Sequence, residues 1–97
     1  MKIVMRVGIC TIELHIPDAN SLKAKRQVLK SLKDKIRAKF NVSIAEVDEN
    51  ELWQKAILGV SSIGNGNGHI NAMLDKVIDF IEGIPVVEIV DYKIEII

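Results

Sequence analysis

The chain has 97 residues, 48% hydrophobic and 27% charged, and its thirteen bases and thirteen acids cancel to a formal net charge of zero. That length makes one domain, 1–97, with room for a single two-layer core, and the composition excludes a disordered chain or one that is cationic throughout. One cysteine, Cys10, excludes an intrachain disulfide and fits a reduced, cytoplasmic setting.

The opening "MKIVMRVGIC" is broken by Arg6 and lacks a small-residue cleavage site, so it does not read as a signal peptide. No uncharged stretch approaches the ~18 apolar residues of a membrane span, so no membrane partner is expected. Ile3–Ile16 is rich in Val, Ile, Met and Thr and ends at Pro17-Asp18, which predicts a long first strand. Ser21 is suited to cap a helix running to about Phe40. "NVSIAEV" (Asn41–Val47) reads as a second strand, "DENE" (Asp48–Glu51) as a polar turn, and Leu52–Ile63 as a third strand paired with the second. Gly64–Gly68, "GNGNG", reads as a flexible loop. Ile70, Leu74, Val77, Ile78 and Ile81 then recur at helical spacing, with Gly83 and Pro85 as stop signals and Val86–Ile97 as a last strand.

The order βαββαβ predicts an α+β, ferredoxin-like sandwich: a four-stranded antiparallel sheet, first and third strands central, with both helices on one face. Two helices cover only one face, and the other should alternate to polar. Yet Ile3, Met5, Val7 and Ile9 lie on one side of the first strand and Val4, Cys10, Ile12, Leu14 and Ile16 on the other. In the last strand Val87, Ile89 and Ile97 oppose Val90, Tyr92, Ile94 and Ile96. The expectation is a homo-oligomer formed through the open sheet face; the alternative is a β-bulge near Gly8 that changes which residues face inward.

Charge is segregated, not absent. Residues 21–40 carry eight bases and one acid, Asp34, for a net +7, while 41–68 carry −3 and 69–97 carry −4. At ~100° per residue, Leu22, Val28, Leu29, Leu32, Ile36 and Phe40 form the buried stripe of the first helix. Lys23, Arg26, Lys30, Lys33 and Arg37 line up in one column beside it, with spacing suited to a phosphate-tracking surface. A solvated helix face is the plainer explanation, but such helices usually interleave acids for i,i+4 support. Cations in the first turn also oppose the helix dipole, which calls for a compensating partner, either a polyanion or the acidic segments of this chain or a neighbour. Lys25 stands apart because its angle falls within the apolar stripe. It is expected to snorkel past the end of the sheet or pair with a carboxylate such as Glu46.

Other chemistry is sparse. "IGNGNGHI" lacks both the Lys-Ser/Thr of a Walker loop and a dinucleotide fingerprint. His15, His69, Cys10 and Glu13 lack metal-ligand spacing, so no metal, cofactor or catalytic site is expected. The strands have too few aromatics for the base-stacking platform of an RRM: only Phe40, Trp53, Phe80 and Tyr92 are present. Trp53 reads as a hydrophobic anchor at a strand end or a subunit contact.

"ELHIP" (Glu13–Pro17), "SLKAKRQVLKSLKDKI" (Ser21–Ile36), "FNVSIAEV" (Phe40–Val47) and "LWQKAILGV" (Leu52–Val60) together resemble the YlxP-like family of small uncharacterised bacterial proteins. The resemblance implies a ferredoxin-like βαββαβ fold and supplies no established activity. Such proteins are often encoded beside translation-initiation and ribosome-maturation factors, which implies an RNA- or ribosome-linked role by association. The expectation is therefore a non-enzymatic protein contacting structured RNA or a ribosome-associated factor through Lys23, Arg26, Lys30, Lys33 and Arg37, with Lys55 extending the patch. Lys25, Trp53 and Gln54 are candidate interface residues. The competing expectation is a homo-oligomeric structural or small-ligand-binding module whose basic helix meets acids of a neighbouring subunit.

Overall fold

In the computed structural model, which describes residues 2–97, the elements are β1 (Arg6–His15), α1 (Leu22–Lys39), β2 (Ser43–Asp48), β3 (Lys55–Gly64), α2 (Asn67–Glu82) and β4 (Glu88–Ile96). The strands form one antiparallel sheet in the order β2-β3-β1-β4, so β1 and β3 are central. With two helices packed on the sheet, this is the ferredoxin-like α+β architecture that the element order predicts.

Period-two alternation decides which face the helices cover. Cys10, Ile12 and Leu14 of β1 and Ala56, Leu58 and Val60 of β3 point into the core, where they meet Leu29, Leu32 and Ile36 of α1 and Ile70, Leu74, Val77 and Ile81 of α2. Gly8 lets α2 come close. A Cβ at that position would overlap Ile70 Cγ2 and stand 2.9 Å from Leu74 Cδ1.

Ser21 caps α1 as its sequence predicts, its Oγ accepting from Ala24 N at 3.0 Å. The first strand begins later than its composition suggests. Arg6 stands opposite Gly64, the last residue of β3, so Ile3–Met5 have no ladder partner and lie exposed. Likewise β3 starts at Lys55, opposite His15 at the end of β1, and leaves Leu52–Gln54 outside the sheet. The glycine run is shorter as a loop than expected: Gly66 is the N-cap of α2, and Asn67 and Gly68 are already helical.

The bulges lie elsewhere than Gly8. Leu14 pairs with Ile89 and Glu13 with Asp91, which leaves Val90 unopposed in β4. Residues directly opposite across an antiparallel pair share a face. The extra residue therefore puts Ile89 on the same side as Tyr92, Ile94 and Ile96, and turns Glu88, Asp91, Lys93 and Glu95 to the open face. The expectation that β4 is apolar on both sides is corrected by this bulge. A second one leaves Val47 unopposed in β2, over Gly59. The open face is thus apolar only in part, at Val7 and Ile9 of β1, Ile57 and Ile63 of β3 and Val47 of β2, with Glu13, His15 and Lys55 at one end and charges along β4.

Candidate functional site

The eight bases of α1 divide by what they touch. Lys25 lies within the buried stripe and is 0% exposed. Its ammonium sits 2.8 Å from Glu46 Oε2 and donates to the Glu49 carbonyl at 2.6 Å. Glu46 Oε2 is buried and makes no directed hydrogen bond, so its compensation is the charge of Lys25. Glu49 has φ 62°, in the left-handed region that non-glycine residues rarely occupy, and this turns its carbonyl toward Lys25. The pairing with Glu46 is the one its position in the apolar stripe suggests. The candidate role of Lys25 as an interface residue needs correction, since the side chain presents no surface.

Arg37 reaches sideways from the last turn of α1, and its Nη2 donates to the Ile44 carbonyl of β2 at 2.8 Å. It thereby satisfies a main-chain acceptor on an edge strand, a position otherwise open to pairing with another chain. Asp34 receives Lys30 at 2.7 Å and lies 3.8 Å from Arg37 Nη1. The hydrogen bond from Lys30, reinforced by the charges of Lys30, Arg37 and Lys33, holds its carboxyl below the usual range.

The remaining five cations, Lys23, Arg26, Lys33, Lys35 and Lys39, have no carboxylate within 4.0 Å among the described residues. Lys23, Arg26 and Lys33 share the column with Lys30 and Arg37. Lys39 leans the other way, 5.2 Å from the Phe80 ring and 5.9 Å from the Phe40 ring, which themselves meet edge to face at 5.9 Å. No acid lies in the first turn of α1, so the dipole there is opposed by Lys23 and Lys25, whereas Arg37 and Lys39 complement it at the far end.

Lys55 does not extend this column. It stands opposite His15 on the face of the sheet away from the helices, flanked by Glu13 Oε1 at 4.0 Å and Glu49 Oε1 at 3.9 Å. Gln54 holds the loop after β1: its Nε2 donates to the carbonyls of Pro17 and Ala19 at 3.1 and 3.2 Å, and its own carbonyl accepts from Ile16 N. Trp53, 54% exposed, borders a shallow hollow with His15, Leu52 and Lys55. Nearby, His15 Nδ1 lies 3.2 Å from Glu88 Oε2, a pair that the sequence, which sets them 73 positions apart, did not suggest.

Burial, with a smaller effect from the Asp75 charge, pushes the Cys10 thiol up to about 11. Among the described residues no three His, Cys, Asp or Glu side chains gather as metal ligands, and no helix is long and apolar enough to cross a membrane.

Residues 7–94 match the model of a family described as "Protein of unknown function (DUF503)". The chain is a member of the DUF503 family. It is 35% identical over 82 residues to "Uncharacterized protein YlxP" of Bacillus subtilis (strain 168), an alignment covering 84% of this chain and 89% of that one. Among solved structures the DUF503 chain is similar to "De novo designed protein Foldit4", with a TM-score of 0.54 at 10% identity over 95% of this chain and 96% of that one. The likeness to the designed protein concerns the fold alone. DUF503 membership agrees with the resemblance carried by the segments between Glu13 and Val60.

Proposed function

We propose that this DUF503 protein is a non-enzymatic, cytoplasmic protein that contacts structured RNA, free or within a ribonucleoprotein, through the basic column of α1. The observation that carries the reading is the division of charges on α1. Lys25 is consumed inside the fold and Lys30 and Arg37 share Asp34, while five cations keep no acidic partner. From Lys23 to Arg37 the column rises ~21 Å along the helix, long enough to meet several successive phosphates. Exposed Trp53 and Tyr92 lie off α1, so the column has no ring on which a base can stack. Contact is by phosphate and shape, with little sequence readout.

Fluorescence anisotropy with ribosomal and unrelated structured RNAs tests the proposal across a salt series. Three or four phosphate contacts predict a slope of about −3 in log K against log salt, and a ~50- to 100-fold weakening from 50 to 200 mM. An Arg26→Glu/Lys33→Glu variant should abolish binding while keeping its fold. Absence of binding by the parent protein at the lowest salt refutes the reading.

The acids turned outward along β4, Glu88, Asp91 and Glu95, support a second reading, a homo-oligomeric structural or small-ligand-binding module in which α1 meets β4 of a neighbouring subunit. In that case the same variant dissociates the assembly and leaves any RNA binding intact.

A further inference from the structure

We infer that the outer edge of β4 pairs with the same edge of a second copy of this chain, joining the two sheets into one about a two-fold axis through Ile94. This edge is the far side of the sheet from β2, beside which α1 packs, so the inference is independent of the RNA reading. It sets β4 against β4, not against a neighbour's α1. Hydrogen-bond alternation identifies the free groups. Val7 and Ile97 exchange both main-chain bonds, at 3.0 and 2.8 Å. Counting back by twos, Glu95, Lys93 and Asp91 also aim their main-chain groups at β1, across from Ile9, Thr11 and Glu13. Tyr92, Ile94 and Ile96 therefore turn theirs outward. Among the described residues only the Tyr92 N–H finds a partner there, Oδ1 of its own neighbour Asp91 at 2.8 Å, which an incoming carbonyl can replace. The opposite edge is guarded, since Arg37 occupies the Ile44 carbonyl of β2.

The side chains fit a second copy as the occupant. Read outward from Ile94 in either direction, β4 carries a charge and then an apolar residue: Lys93 and Tyr92 one way, Glu95 and Ile96 the other. The two charges are opposite in sign. An antiparallel mate centred on Ile94 therefore sets Ile94 against Ile94, Tyr92 against Ile96 and Lys93 against Glu95, the self-complementarity that an isologous contact requires. Tyr92, Ile94 and Ile96 exchange the main-chain bonds, while Lys93 and Glu95 fall at the closer, non-hydrogen-bonded positions. Within one chain Lys93 Nζ already meets Glu95 Oε1 at 2.7 Å on the open face, so two copies close a ring of charges alternating in sign. A register centred on Lys93 would oppose that lysine to itself. One centred on Tyr92 would draw the bulge at Val90 into the ladder, whereas the ladder Tyr92–Ile96 leaves it outside.

The helix side of the edge agrees. α2 packs over β1, β3 and β4, yet it leaves Tyr92 45% exposed and Ile94 and Ile96 only half-buried. In the pair these residues of the two copies cover one another in the trough between the two α2 helices. Eight strands ~4.8 Å apart span ~38 Å, which seats four helices, about 8–10 Å apart, side by side on one face.

Sedimentation equilibrium and light scattering of the full chain at about 10–100 μM test the inference. The expected mass is about twice the 10.8 kDa of the chain. Lys93→Glu or Glu95→Lys, each at an exposed position, sets like charges opposite one another and should weaken association ~10- to 100-fold with an unchanged circular dichroism spectrum. The swap Lys93→Glu/Glu95→Lys restores opposite signs in this register and should recover the parent affinity. Ile94→Pro removes the N–H at the axis, which points away from β1, and should leave a folded monomer. A 10.8 kDa species at the highest concentration, an assembly insensitive to the single charge variants, or a swap that fails to recover it overturns the inference. So does dissociation by Lys30→Glu/Lys33→Glu, which would place α1 in the contact.

Discussion

Replacing Lys25 by Met removes one charge and nearly preserves side-chain volume. It leaves the Glu46 carboxylate and the Glu49 carbonyl facing a methyl group where an ammonium stood at 2.8 and 2.6 Å. Breaking a buried ion pair by deleting one partner costs about 3–5 kcal/mol, because the surviving charge stays desolvated. The Lys25 side chain is 1% exposed but that of Glu46 is 16% exposed, so water reaches the orphaned carboxylate in part. The lower end of the range, about 3 kcal/mol, is expected. For a domain of this size that lowers Tm by roughly 12–24 °C.

The double variant Lys25→Met/Glu46→Leu removes both charges and should lie within about 1.5 kcal/mol of the parent protein, since an apolar replacement of a buried pair is often neutral. Urea titrations read by circular dichroism, with an unchanged m-value, report these differences directly. The exposed Lys30–Asp34 pair is the control: Lys30→Ala should cost less than ~1 kcal/mol. A Lys25→Met protein within 1 kcal/mol of the parent would refute the reasoning. So would a double variant less stable than the single one, for then the pair is not what balances the burial of Lys25.

Gly8→Ala drives a methyl group into the branch of Ile70 and against Leu74. It should destabilise by about 1–3 kcal/mol through displacement of α2, measured in the same urea titration. The Cys10 thiol, held up to about 11 in the folded chain against 9.0 for a free thiol, retains its proton longer in the folded state than in the unfolded one. Stability should therefore be full below pH 9 and fall as pH rises from 9 to 11, by an amount on the order of 2–3 kcal/mol. Cys10→Ala should flatten that fall, and iodoacetamide at pH 8 should label the parent protein only as fast as it opens.

The elements and the buried stripe of α1 were legible because they rest on periodicity and turn signals, which one sequence displays in full, and the central place of β1 and β3 followed from the βαββαβ order. Lys25 was legible for the same reason: a charge at an angle reserved for Leu29 and Ile36 has to find a partner, and Glu46 is near enough to serve. The left-handed turn at Glu49 was not, since nothing in "DENE" requires it. Lys55 was placed with the α1 column on charge alone. Its adjacency to Ala56, which faces the core, already assigns it to the opposite face. The bulges at Val47 and Val90 escaped because an extra residue leaves no mark on composition, yet they decide which apolar residues cross to which face. The His15–Glu88 contact depends on the pairing of β1 with β4, which only the assembled sheet creates.

The two contacts that fix α1 on the sheet also determine what it leaves uncovered. Lys25 ties its first turn to β2 and the turn beyond, and Arg37 ties its last turn to the Ile44 carbonyl. Between these anchors the helix cannot roll without exposing a buried ammonium or releasing an edge-strand carbonyl. The backbone that carries Lys23, Arg26 and Lys33 is thereby held at one angle beside β2 and need not be ordered when an anion binds. A loop bearing the same charges would lose backbone freedom as well, about 1–2 kcal/mol per ordered residue, on top of the side-chain entropy that both arrangements lose. Loosening either anchor should consequently weaken anion binding even though neither Lys25 nor Arg37 need touch the ligand. For Lys25, which is wholly buried, no direct contact competes with that explanation.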